Sequence, residues 1–224
     1  MKTNGIKGDV SSDYSVSAPL QHRKRFGQFF TPPRIALLMA DWVLSSGASR
    51  IVDPAFGTGA LAEACLSRNP DLQVTGYEKD SNILAFVPNE IRSKAIIHET
   101  DFLTADVSRS FDGVIMNPPY IRHREIKDKE PARSRIAVQT GCFIPASANL
   151  YVYFILKGIA VTTPGARMAF LVPSEWMSAN FSKALKRFLV EKGLLREIVT
   201  FSNCSDVFGD AITTASLLFL EKES

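Results

Sequence analysis

Six residues, Phe111-Asp112-Gly113-Val114-Ile115-Met116, form an apolar run that ends on Asn117-Pro118-Pro119-Tyr120. A run of that length reads as a buried strand, and tandem proline stops it because proline fixes φ and has no N–H for a ladder. The pattern recurs along the chain. Arg50 to Asp53, Gln73 to Glu78, Ala95 to Thr100, Met168 to Pro173, Ile198 to Phe201 and Thr213 to Leu220 are further short apolar runs, most of them separated by helical patterns. Strands alternating with helices predict an α/β fold: a doubly wound, mostly parallel seven-stranded sheet covered on both faces.

Helical signals fill the gaps. Thr31 is a candidate N-cap with Pro32 at the first helical position; Ile35, Leu38, Met39, Trp42 and Val43 share one face, and Gly47 closes the C-terminus. Ala60 to Ser67 continues as a helix after a glycine loop. Another opens at Asn149 and runs to about Val161, and 181–192 is amphipathic through Ala184, Leu185, Phe188 and Leu189. The aromatics Tyr151, Tyr153 and Phe154 are read as helix packing. Residues 121–146 hold few apolar anchors and are expected as a long substrate-contacting loop. Pro164-Gly165 is expected to turn the chain into the fifth strand.

At 224 residues the chain supports one α/β core. A hydrophobic content of 46% describes a globular protein, and no apolar run approaches the roughly 18 residues that span a bilayer. Met1 to Ala18 is rich in Ser, Gly and Asp and has no apolar segment. Residues 1–20 are therefore expected as a disordered tail, 21–224 as the folded domain, and the protein as cytoplasmic. Cys65, Cys142 and Cys204 are isolated, as are His22, His98 and His123, so no metal site or disulfide frame is implied.

The chemistry gathers at strand ends. Asn117 accepts and donates through its side chain, whereas Pro118 and Pro119 offer carbonyl oxygens and no N–H. Such a corner suits an amine conjugated to a ring: the Asn117 oxygen and the Pro118 carbonyl hold its two hydrogens and draw the nitrogen toward tetrahedral geometry, with Tyr120 against the ring face. Upstream, Asp53-Pro54-Ala55-Phe56-Gly57-Thr58-Gly59 follows a strand, and its glycines let the backbone pass close to a bound molecule. The strict Gly-x-Gly-x-x-Gly dinucleotide pattern is absent, and an acidic strand end suits a cationic ligand better than a pyrophosphate. Glu78 stands 19 positions after Gly59, at the tip of the next strand, placed to accept from ribose hydroxyls. Asp101-Phe102, after the third strand, sets an acceptor beside a ring, which fits an adenine moiety.

Charge is local rather than global. Residues 121–135 carry a net +3 through Arg122, Arg124, Lys127, Lys129, Arg133 and Arg135, and Arg23-Lys24-Arg25 carries another +3, in a chain of net +3. The first cluster follows the candidate site directly, where Arg122, Arg124 and Lys127 would meet a phosphate backbone.

Asn-Pro-Pro-Tyr after a hydrophobic strand resembles the catalytic motif of S-adenosylmethionine-dependent amino-methyltransferases, above all the adenine-N6 DNA methyltransferases. Gly27-Gln28-Phe29-Phe30-Thr31-Pro32 resembles the segment that precedes the cofactor loop in their γ-type arrangement, and Asp-Pro-Ala-x-Gly-x-Gly resembles the loop itself. The signals follow the γ order over residues 25–222. The resemblance implies a Rossmann-like methyltransferase fold ending in a β-hairpin, S-adenosyl-L-methionine as cofactor, and double-stranded DNA as substrate within a type II restriction-modification system. It implies that Thr31 contacts the methionine carboxylate and that Asp53, Pro54, Ala55, Gly57, Gly59, Glu78, Asp101, Phe102 and Pro119 form the cofactor site. Asn117, Pro118, Pro119, Tyr120 and Phe208 would form the catalytic site, with Phe208 on the second face of a flipped base. A target-recognition domain or subunit, expected outside this chain, and a cognate restriction endonuclease are the implied partners. Other readings stay open: release-factor glutamine methyltransferases share Asn-Pro-Pro-Tyr, RNA methylation is a variant of the same chemistry, and a non-catalytic subunit of a modification complex would keep the cofactor loop.

Overall fold

The apolar runs become strands of one sheet in the computed structural model, which describes residues 30–126, 129–201 and 214–223. β1 (Arg50–Asp53), β2 (Gln73–Glu78), β3 (Ala95–Glu99), β4 (Phe111–Met116), β5 (Thr162–Val172), β6 (Leu195–Thr200) and β7 (Ser216–Glu221) lie in the order β3-β2-β1-β4-β5-β7-β6. β7 is antiparallel to both β5 and β6, and the other neighbours are parallel. This is the α/β sheet with a C-terminal antiparallel hairpin that the motifs imply. Its helices are α1 (Pro33–Leu44), α2 (Ala60–Arg68), α3 (Ser81–Leu84), α4 (Asn89–Lys94), α5 (Glu130–Thr140), α6 (Leu150–Ala160) and α7 (Lys183–Glu191).

Period-two alternation in the central strands feeds two cores, one on each face. Ile51, Ile115, Ala169, Leu171 and Leu217 pack with Ile35, Met39 and Val43 of α1 and Leu61 and Cys65 of α2. Val52, Val114, Met116, Met168, Phe170 and Leu218 pack with α6 and with Leu185 and Leu189 of α7. Full burial of each large aliphatic or aromatic side chain is worth about 1.5–3 kcal/mol, so the central strands are held from both sides and their tips are rigid. Among the described residues no helix is long and apolar enough to cross a membrane.

Gly76 of β2 makes room for the loop after β1. A Cβ at Gly76 would stand 2.2 Å from Cδ2 of Phe56, whose ring lies buried across the strand. Gly76→Ala must displace that ring, so the variant is expected to lose about 1–3 kcal/mol of stability in a urea melt. An unchanged midpoint would contradict this packing.

Several expectations are corrected by the structure. Pro32, not Thr31, is the N-cap of α1: its carbonyl accepts from the Ile35 and Ala36 N–H groups at 2.9 Å each, and no side chain caps the helix. Leu38, expected on the packed face, is 45% exposed, because the small Ala36 and Ala40 let the helix settle on the line Ile35, Ala36, Met39, Ala40 and Val43. Pro164-Gly165 does not precede β5 but lies inside it: the pairing with β4 shifts register after Thr162 and resumes at Arg167, with Gly165 at φ +77°. The loop expected over 121–146 contains α5. That helix begins with Glu130-Pro131 and ends on Gly141 in the left-handed conformation, which are ordinary start and stop signals, but only Ile136 of it is buried.

Candidate active site

The strand order turns back at β1: the chain goes outward to β2 and β3, then returns to β4 on the other side. In such sheets a crevice opens beyond the carboxyl ends of the strands at that point. Here it is a cleft of about 720 Å³, and Thr31, Pro54, Ala55, Gly57, Glu78, Asp101, Phe102, Asn117 and Pro119 all line it.

The glycine loop forms one wall. Gly59 donates to the Phe56 carbonyl at 2.9 Å and sits at φ +84°, the left-handed conformation that closes the turn and starts α2. Gly57 donates its N–H to Glu78 Oε2 at 2.8 Å, and the Asp80 N–H reaches Glu78 Oε1 at 2.8 Å. Glu78 thereby ties the tips of β1 and β2 together while each carboxylate oxygen keeps a second lone pair for a ligand hydroxyl. Burial raises its carboxyl above the usual range, against the lowering effect of those backbone donors.

Asp53 lies beneath the loop and is fully buried. Its Oδ1 accepts from the Ala55 N–H at 3.1 Å, and Oδ2 has no hydrogen-bond partner among the described residues. Burial pushes the carboxyl up to about 8, and the nearby Glu78 charge adds to the rise. An unfolded aspartate ionises near 4, so the protonated group favours the fold: this contribution is complete below about pH 4 and is lost as pH climbs through about 8. Asp53→Asn, which does not titrate, is therefore expected to gain in melting temperature over the unaltered protein between pH 5 and pH 8.5. A difference that stays constant with pH would contradict the buried acid.

The opposite wall comes from the segment after β3 and from α6. Asp101 accepts the Leu103 N–H on Oδ1 at 2.9 Å and Lys79 Nζ on Oδ2 at 2.9 Å. Phe102 is 1% exposed, with the Tyr77 ring at 5.3 Å and the Phe154 ring at 5.9 Å. Tyr153 and Phe154, read from sequence as packing residues, line the cleft together with Leu150. The signal was the spacing Leu150, Tyr153, Phe154, Lys157, one face of a helix. It was masked because Tyr151 to Ile159 are buried all round.

At the tip of β4, Asn117 Nδ2 donates to Thr31 Oγ1 at 3.1 Å, joining the segment before α1 to the Asn-Pro-Pro-Tyr corner. That bond orients the amide with Oδ1 as its acceptor end. Pro118 is buried, and Pro119 faces the cleft. Tyr120 lies outside the cleft lining; its hydroxyl donates to the Leu171 carbonyl at 3.1 Å, fixing the ring to the end of β5. Asn149 secures the chain beyond: its Oδ1 accepts from the His123 N–H at 3.0 Å, and its Nδ2 donates to Glu175 Oε1 at 2.7 Å.

Half of the basic cluster after this corner is used internally. Lys129 Nζ donates to the His123 and Ala146 carbonyls, Arg133 to Ile144 and Arg135 to Thr104. Arg122 and Arg124 are exposed. Phe208 and Lys127 lie outside the described residues, as do Cys204, His22, Arg23-Lys24-Arg25 and the tail 1–20. Among the described residues no group of three His, Cys, Asp or Glu could hold a metal ion.

The cleft therefore offers carboxyl acceptors for hydroxyl groups and an aromatic wall, a set that fits an adenosyl group. Comparison with known proteins agrees. Residues 58–208 match the model of the Eco57I restriction-modification methylases. The chain belongs to that family.

Within the Eco57I family setting, the chain is 31% identical over 223 residues to the type II methyltransferase M.AccI of Acinetobacter calcoaceticus, covering 98% of this chain and 41% of that protein. It thus spans about two fifths of the length of this curated relative. Among solved structures, a Listeria monocytogenes protein described as a class I S-adenosylmethionine-dependent methyltransferase superposes with a TM-score of 0.74 at 20% identity, over 96% of this chain and 65% of that one. The DrdV–DNA complex superposes with a TM-score of 0.68 at 17% identity, over 94% and 28%. These likenesses establish the class I methyltransferase fold.

Proposed function

We propose that this Eco57I-family chain is the catalytic domain of a DNA adenine-N6 methyltransferase of a type II restriction-modification system, transferring a methyl group from S-adenosyl-L-methionine to N6 of a flipped adenine. The observation that carries the reading is that Asn117 and Pro119 line the same cleft as Gly57, Glu78 and Phe102, so the acceptor-rich corner and the nucleoside pocket are one space. Glu78 would hold the ribose hydroxyls, Asp101 and Phe102 would hold the adenine of the cofactor, and Thr31 would meet its charged tail, while the buried Asp53 supports the loop from beneath through the Ala55 N–H.

The cofactor, when bound, supplies a methyl group already activated by a sulfonium, so the protein's part is alignment. Asn117 Oδ1 and the Pro118 carbonyl accept the two hydrogens of the target amine. This would localise the nitrogen lone pair and orient it toward the methyl group that a bound cofactor would supply, the thioether being the leaving group and one amine proton passing to solvent. Tyr120 and Phe208 stack on the base, whose extrusion from the duplex costs a few kcal/mol. Arg122, Arg124 and Lys127 contact the phosphate backbone, and sequence reading belongs to a target-recognition region or subunit other than these residues.

The test offers radiolabelled cofactor and, separately, duplex DNA, RNA and a peptide release factor. Label in DNA, recovered as N6-methyladenine, is the expected result. Label confined to RNA or to protein would overturn the substrate, and none anywhere, with cofactor bound, would favour a scaffold subunit.

A further inference from the structure

Lys157 is a buried cation that the proposed mechanism does not use. It lies on α6, 5% exposed, one turn beyond the cleft-lining Tyr153 and Phe154. Its Nζ donates to the carbonyls of Phe102 and of Ala105, the latter at 2.6 Å, and stands 4.8 Å from the centroid of the Phe102 ring. A lysine so deeply buried is uncommon unless its donors are matched, and here the partners belong to one loop.

That loop is a single helical turn. The Asp101 carbonyl accepts from the Thr104 and Ala105 N–H groups at 3.0 Å each, while its side chain accepts from the Leu103 N–H. A turn of this kind leaves its last carbonyls without intrahelical donors. Lys157 takes two of them, and Arg135 reaches the Thr104 carbonyl at 3.5 Å. Asp101 thus closes the start of the turn and Lys157 its end, with Phe102 held between the ammonium and the Tyr77 and Phe154 rings.

We propose that Lys157 is a positioning residue for the cofactor: by binding the Phe102 and Ala105 carbonyls it holds the Asp101–Ala105 turn in the shape that presents Asp101 and Phe102 to the adenine. This rests on the cleft being the cofactor site. No other described side chain donates to either carbonyl. Burial depresses the ammonium to about 8, and Arg135 pushes the same way while Asp101 and Asp106 oppose it. Its charge is present at neutral pH and is lost as pH rises through about 8. The neutral amine keeps two N–H donors but gives up the charge-assisted bonds and the attraction to the Phe102 ring.

The test compares Lys157→Met and Lys157→Arg with the unaltered chain by calorimetric titration with S-adenosylhomocysteine and by amide hydrogen exchange of the cofactor-free proteins. Lys157→Met is expected to bind at least about tenfold more weakly, with faster exchange at residues 102–105 and unchanged exchange in β4 and β5, and Lys157→Arg to recover most of the affinity. Equal affinity and equal protection at 102–105 would overturn the role. Should Lys157→Met fail to fold, the arginine variant decides: the unaltered chain should lose affinity relative to it between pH 7 and pH 9, and parallel profiles would overturn the role. If the unaltered chain bound no cofactor, the functional reading would fail instead, and the exchange comparison would still decide Lys157.

Discussion

Replacing Asn117 with Ala is expected to lower methyl transfer by about 10²- to 10³-fold while cofactor binding persists. The amide sits at the rigid tip of β4 and is oriented by Thr31, so it is preorganised for a nitrogen whose charge changes only in the transition state. Alanine offers no acceptor in place of Oδ1, so one amine hydrogen is left without its partner. Single-turnover methylation of DNA and a cofactor titration, run on the same variant, separate the two effects. Near-normal turnover would remove Asn117 from the chemistry, and loss of cofactor affinity would make it a binding residue instead.

Glu78→Gln is the second large effect, and it falls on binding. Both carboxylate oxygens already accept a backbone N–H, one from Gly57 and one from Asp80, and an amide retains only one accepting atom. One N–H then faces the NH2 end, at a cost of about 1–3 kcal/mol, and the ribose loses an acceptor as well. Cofactor affinity is expected to fall about 10- to 100-fold, measured by titration with S-adenosylhomocysteine. Affinity equal to that of the unaltered chain would show that Glu78 braces the loop without touching the ligand.

The contrast between β4 and α5 explains what could be read in advance. β1 and β4 fall where their apolar runs fall, because a strand largely buried on both faces must be mostly apolar and its ends are marked by glycine, proline or charge. α5 has one buried residue, Ile136, so its helix carries no apolar period, and only Pro131 and Gly141 announce it. α6 fails in the opposite way. Apolar on every side, it hides which face meets the cleft, and Tyr153, Phe154 and Lys157 become visible only once the loop after β3 is seen against them.

The motif residues behave similarly. Thr31, Pro54, Ala55, Gly57, Glu78, Asp101, Phe102, Asn117 and Pro119 converge because each stands at a strand tip or just before α1, and parallel topology brings those points together. The cations of 121–135 looked alike in sequence. Their fates diverge in space, since Lys129, Arg133 and Arg135 reach carbonyls of the chain itself while Arg122 and Arg124 stay exposed.

A crystal structure with S-adenosylhomocysteine is the decisive test of whether the cleft at the tips of β1, β2 and β4 is the cofactor site. The ribose hydroxyls are expected within about 3.2 Å of Glu78, the adenine against Phe102, and the sulfur end of the ligand open toward Asn117. A nucleoside seated elsewhere, or the Asn117 amide turned away from the sulfur with no open path between them, would contradict it.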